Sequence, residues 1–220
     1  MRRFAARTDA LVVFTNLQSP TSAILDDFAQ RGFPFILVDP PTKGPYPRVE
    51  IDRASGYCEA VRHLVATGRR SIALVIEEFR SEERREGYRQ GLAEAALPYD
   101  EGLVLRTGKG FRGGGDAAEA LLALRSVRPV DAVLCHNDKV ATGLLSFLQA
   151  RGTRVPEDLA LVGFDDDDYS AYLSPPLTTI AQGGSEVGVH IYEQLFNRLE
   201  LGSAISSRAF HTSLVQRRSA

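Results

Sequence analysis

The densest chemistry in the chain lies at residues 165–168, four consecutive aspartates directly after the apolar run LALVGF at 159–164. Pro156 opens this stretch and cannot continue a preceding helix. An apolar run of this kind suits a strand covered on both faces, as in a parallel sheet. Carboxylates just beyond such a strand sit where open α/β sheets bind their ligands, which makes Asp165 the leading candidate. Oxygen-rich clusters also suit magnesium or calcium. Adjacent residues point in different directions, however, and the spaced calcium-loop pattern is not present, so no metal is expected. Asp166, Asp167 and Asp168 are read as solvated turn residues or a helix start. Asn137 and Asp138 follow a second apolar run at 132–135, at the mouth of a strand and the start of a helix. Asp138 reads equally as a ligand contact or as a helix N-cap.

Other groups capable of chemistry form no catalytic pattern. His63 and His190 fall on expected helices and His211 on a terminal strand, without a repeated ligand spacing; His136, beside Asn137, is the histidine placed to meet a ligand. Gly108, Gly110, Gly113, Gly114 and Gly115 are read as a loop at 108–115. They do not form the phosphate-binding G-x-x-x-x-G-K-[ST] motif, and a loop does not open a helix as a dinucleotide fingerprint must. There is no G-x-S-x-G nucleophile elbow. Without an acid, base and nucleophile constellation, the chain is not expected to be an enzyme or to carry a cofactor.

Composition narrows the class further. The 220 residues, 44% of them hydrophobic, are enough to bury a large core. With 26 basic against 28 acidic residues, the chain lacks the basic balance that phosphate neutralisation needs, so it is not expected to bind nucleic acid itself. Cys58 and Cys135 form no CxxC pair and are expected as buried, reduced thiols of a cytoplasmic protein. No apolar run approaches the roughly 18 residues of a membrane span, and residues 10–14 are too short for a secretion signal's apolar core.

The elements that must position these residues follow from hydrophobic period. Residues 2–7 suit the last turns of a helix, with its cations favoured by the macrodipole. Strands are expected at 11–15, 35–38, 49–52, 71–75, 103–105, 132–135 and 159–164, with short β segments at 177–180 and 210–215. Helices are expected at 22–31, 53–68, 80–97, 117–124, 140–151 and 187–201, with a polar turn at 16–21 and a Pro- and Gly-rich loop at 40–47. Strands alternating with helices over short connections mean βαβ units and a parallel, doubly wound sheet.

Longer stretches resemble one family, the lactose-repressor (LacI/GalR) transcription regulators. The order of strand, acidic mouth, Pro175-Pro176 and Leu177-Thr178-Thr179-Ile180 carries the resemblance. TDALVV at 8–13 is similar to the family's "vDGiIl", with Ala10 for the usual glycine, and GFPFILVD at 32–39 to "giPvVlvD". HLVATGRRSIA at 63–73, RREGY at 84–88, NDKVATG at 137–143 and SLVQRRS at 213–219 resemble "hLielGhrrIa", "RleGf", "ND.mAlG" and "eLvvReS". The likeness extends over nearly the whole chain.

The resemblance implies an α/β, periplasmic binding protein-like type I fold, with two doubly wound parallel-sheet lobes joined by three crossovers. It implies an N-lobe of residues 1–76 plus 181–205 and a C-lobe of 77–180 plus 206–220, with crossovers near Ile76, Ile180 and Ala204. It also implies that the N-lobe's first βαβ and the helix-turn-helix headpiece are missing, which would leave the edge beside Leu11 unpaired. By the same resemblance Asp165 accepts hydrogen bonds from ligand hydroxyls, and Arg84 is the cleft arginine, a fixed fork of donors. Asn137 and Asp138 join them, Asp39 and Gln182 face the cleft from the other lobe, and Phe111 supplies an aromatic platform. The implied partners are a small effector, most commonly a sugar, a second copy in a homodimer, and operator DNA through the headpiece. A transport-type solute-binding protein on the same fold is the alternative.

Overall fold

The computed structural model describes residues 8–14, 22–41, 44–78 and 81–220. The helix end expected at 2–7, the turn at 16–21 and the helix start at Arg80 lie outside these residues. Contacts divide the chain into two units, Met1–Ile51 with Gly183–Phe210, and Asp52–Gln182 with His211–Ala220.

The first unit contains β1 (Leu11–Phe14), β2 (Phe35–Val38), β3 (Arg48–Asp52) and β9 (Arg208–His211), in the order β1-β2-β3-β9. Leu11 pairs with Phe35 and Leu37 with Arg48, both in parallel register. Helix α1 (Ser22–Gln30) buries Leu25 and Phe28 against Val13, Phe35 and Leu37. Helix α6 (Gly184–Leu201) buries Val187 and Ile191 against Ile36, Val38, Val49 and Phe210, and exposes Val189, Tyr192, Phe196 and Leu199. Gly202, in the left-handed region at φ 68°, ends it as glycine C-caps do.

The second unit holds the larger sheet, ordered β5-β4-β6-β7 and parallel throughout. Its strands are β4 (Ile72–Ile76), β5 (Val104–Arg106), β6 (Ala132–Cys135) and β7 (Ala160–Val162). Helices α2 (Arg53–Ala66), α3 (Ser81–Glu94), α4 (Gly110–Arg125) and α5 (Asp138–Gln149) cover it. β8 (Thr179–Ala181) and β10 (Ser213–Val215) form an antiparallel pair. The continuous apolar runs have a clear physical origin. Ala73, Val75, Val133, Cys135 and Leu161 enter one core with α4 and α5. Ile72, Leu74, Ile76, Leu134 and Val162 enter the other with α2 and α3. A strand alternates its side chains between faces, so two buried faces demand apolar residues at every position.

Two features depart from the sequence reading. Residues 52–76 group with the second unit, because β4 hydrogen-bonds to both β5 and β6 and α2 shares the core of α3. The expected division after Ile76 would cut through that sheet. The glycine-rich stretch is also mostly helix, since α4 begins at Gly110. Its glycines serve close packing: a Cβ on Gly114 would lie 2.1 Å from the Val140 carbonyl oxygen, and one on Gly113 2.0 Å from that of Gly108. Gly143 on α5 answers them, where a Cβ would come within 1.9 Å of the Phe111 carbonyl oxygen. Helices this close exclude even a methyl group.

Candidate functional site

The site-forming groups of the second unit gather beyond the carboxyl ends of β4, β6 and β7. After β7 the chain turns sharply, with Asp165 at φ 112° and Asp166 at φ 55°, a region that non-glycine residues rarely adopt. The Asp165 amide donates to the Ile180 carbonyl at 2.9 Å, and the Gln182 side-chain amide donates to its carboxylate. Burial pushes the Asp165 carboxyl up to about 6, against the pull of Arg84 and the Gln182 hydrogen bond, while Asp138 and Asp167 add to the rise. Gln182 therefore belongs to the same unit as Asp165, whereas the resemblance had implied the other lobe.

Arg84, on α3, is only 5% exposed. Its Nε donates to the His136 carbonyl at 3.1 Å, and its guanidinium lies 5.0 Å from the centre of the Phe164 ring. That distance is within cation–π range. The interaction leaves a buried cation beside a half-buried acid, which together offer donors and an acceptor to a small polar molecule.

Asn137 and Asp138 are absorbed by the framework. Asn137, rather than Asp138, is the N-cap of α5, and its side chain accepts from the Val140 amide at 2.9 Å. Asp138 is fully buried. It accepts from Ser170 Oγ and Thr179 Oγ1 at 2.5 Å each and from the Asp167 amide at 2.9 Å. Burial raises its pKa, and these hydrogen bonds oppose the rise. The carboxylate thus ties α5 to the turn after β7 and to β8. Of the remaining aspartates, Asp166 pairs with Arg217 at 2.7 Å, Asp167 accepts from the Tyr169 hydroxyl at 2.8 Å, and Asp168 starts the 3-10 turn Asp168–Tyr172.

Phe111 lies in the first turn of α4, half exposed, its ring 6.0 Å from that of Tyr169. Asp39 belongs to the first unit, follows β2 at φ 50°, and donates its amide to the Val49 carbonyl at 2.7 Å. The structure thus gathers Asp165, Gln182 and Arg84, commits Asn137 and Asp138 to the scaffold, and carries Asp39 in a separate unit.

Sequence reasoning passed over Glu77 and gave His136 little weight. Glu77 is buried just past β4 and accepts from the Gly110 amide at 3.3 Å, joining that strand end to the start of α4. The signal was available: like Asp165, Glu77 is an acid following an apolar strand. His136 Nδ1 accepts from the Glu77 amide at 3.3 Å, which leaves the proton of the neutral ring on Nε2. Burial, with Arg84 and Arg53 adding, pushes His136 down to about 3. Its 3.9 Å approach to the Glu77 carboxylate is therefore not an ion pair at neutral pH. Among the described residues, no group of three or more His, Cys, Asp or Glu could hold a metal ion. Cys58 and Cys135 are buried free thiols. No helix among the described residues is long and apolar enough to cross a membrane.

Comparison with known proteins adds independent observations. The sequence profile of a family described as a periplasmic binding protein-like domain matches residues 61–220. The HTH-type transcriptional repressor PurR of Vibrio cholerae is 32% identical over 199 residues, 86% of this chain and 56% of that protein. The chain thus spans about half the length of the curated relatives it matches. A LacI family transcriptional regulator from Enterococcus faecium with bound ribose superposes with a TM-score of 0.84 at 28% identity, covering 99% of this chain and 82% of that one. The transcriptional regulator CelR in its cellobiose complex gives 0.83 at 28% identity, covering 100% and 69%.

Proposed function

Since the chain belongs to the periplasmic binding protein-like family and matches the effector-binding domains of LacI/GalR regulators, we propose that it is the ligand-sensing domain of such a regulator. The effector is a small molecule, a sugar or related polyol, bound by Asp165, Arg84 and Gln182. The observation that carries this reading is the pairing of the half-buried Asp165 carboxylate with the Gln182 amide beside the buried Arg84 guanidinium. A vicinal diol needs that combination, an acceptor for its hydroxyl protons and fixed donors for its oxygens. The solved relatives with bound ribose and cellobiose support the same ligand class. Asn137 and Asp138 act as scaffold for the site, Phe111 offers it an exposed aromatic face, and Asp39 enters through the resemblance alone.

In the whole regulator, which acts in the cytoplasm, ligand binding biases a homodimer between two states, and DNA is contacted by a headpiece carried elsewhere. No catalytic step is assigned. The transport-protein alternative is not favoured, because the matched relatives are transcription regulators.

The test is a thermal-shift screen against monosaccharides, disaccharides, sugar phosphates and nucleobases. At a concentration of 100 Kd, a ligand specific for the folded state raises the midpoint by about 5–10 °C in a chain of this size. Asp165→Asn and Arg84→Ala should each abolish the shift. A panel without a hit, or hits unchanged in both variants, refutes the assignment.

A further inference from the structure

Arg84 is held by groups from other elements as well as by its own helix. Its Nε bond goes to the carbonyl of His136, just past β6, and its guanidinium faces Phe164, just past β7. One side chain touches both supports. Tyr57 on α2, fully buried, stacks on Phe164 with ring centres 5.6 Å apart and planes at 28°. Its hydroxyl donates to the Cys135 carbonyl at 2.6 Å and lies 3.3 Å from that of His136.

We infer that Tyr57 is a positioning residue of the binding site, setting the orientation of Arg84 through the His136 carbonyl and the Phe164 ring. This rests on the reading of Arg84 as a ligand contact. A phenylalanine at position 57 would fill the same core volume, so packing alone does not require the hydroxyl. What the hydroxyl adds is a hold on two successive peptide carbonyls, those of Cys135 and His136, and the second is the oxygen to which Arg84 bonds. Burial keeps the phenol protonated, so it remains a donor across the physiological range. Unlike a flexible lysine, an arginine fork discriminates between ligands only if its plane is fixed.

The molecule supplies its own control. Tyr88 is fully buried in the same core and donates its hydroxyl to the Ile72 carbonyl at 2.8 Å, at the opposite end of the sheet. Tyr88→Phe therefore removes the same kind of bond without touching the support of Arg84.

The experiment uses the full chain labelled with 15N on arginine and follows solvent exchange of the Arg84 Nε–H, assigned with Arg84→Lys. Tyr57→Phe should speed that exchange at least tenfold while Tyr88→Phe leaves it unchanged. Phe164→Leu, which removes the ring face, should act in the same direction and serves if Tyr57→Phe fails to fold. Unchanged Arg84 exchange in Tyr57→Phe, or an equal change in Tyr88→Phe, overturns the inference. In a parallel titration with D-ribose, Tyr57→Phe should weaken binding about fivefold, the size of one lost hydrogen bond. A wild-type chain that binds no sugar yet shows the Arg84 effect counts against the effector reading and leaves the positioning role standing.

Discussion

Asp138→Ala tests the division between scaffold and site most directly. Asp138 is fully buried, and three donors converge on its two oxygens: Ser170 Oγ, Thr179 Oγ1 and the Asp167 amide. Removing the carboxylate strands all three. Each unsatisfied buried donor costs roughly 1–3 kcal/mol, and relief of the buried carboxyl returns part of that, so a net loss of about 3–5 kcal/mol is expected. In a chain of this size that lowers the thermal midpoint by about 6–20 °C. Asp138→Asn keeps one acceptor but turns an NH2 group toward a donor, and should lose about half as much. The assay is urea unfolding followed by circular dichroism and by alkylation of Cys135, a buried thiol of the same unit. A loss below about 1 kcal/mol with Cys135 still protected would show that the donors have other partners and refute the anchor role. A fully stable Asp138→Ala chain that no longer binds ligand would move Asp138 from scaffold to contact.

Three further outcomes follow from the same geometry. Asp165→Gly relieves a residue held at φ 112° and should gain about 1 kcal/mol in urea unfolding while losing effector binding; a destabilised variant would contradict the strain argument. With its carboxyl raised to about 6, Asp165 loses its charge as pH falls, so sugar affinity should drop about tenfold per unit below that point; an affinity that stays level through it would contradict the acceptor role. The stability linkage has the opposite sense: the folded state holds this proton more tightly than the unfolded one, so the contribution is complete below about 4 and lost as pH rises through about 6. Gly143→Ala places a methyl 1.9 Å from the Phe111 carbonyl oxygen and should cost about 1–3 kcal/mol despite alanine's better helix propensity; an unchanged midpoint would show that α4 and α5 separate freely.

Much of the architecture was legible because burial leaves a mark on composition. The apolar runs at 71–75 and 132–135 suit strands covered on both faces, and their alternation with amphipathic stretches pointed to a parallel α/β arrangement. The acid after an apolar strand likewise pointed to Asp165. The glycine-rich stretch misled, because glycine marks both a flexible loop and a close helix crossing, and only the neighbouring helix distinguishes them. The boundary expected after Ile76 also misled, since a strand's hydrophobicity does not reveal which sheet receives its hydrogen bonds.

The sequence by itself determined the fold class, the order of elements and the strand end that Asp165 follows. These depend on hydrophobic period and local backbone preference, which each segment carries within itself. The tertiary structure decided which acid serves which purpose. Asp138 and Asp165 look alike in a string of letters, yet one is surrounded by three donors and the other receives an amide beside a buried arginine. A carboxylate's role is set by the dipoles and charges around it, and those arrive from residues 17 to 81 positions away in the chain, Gln182 and Arg84 about Asp165 marking the two extremes.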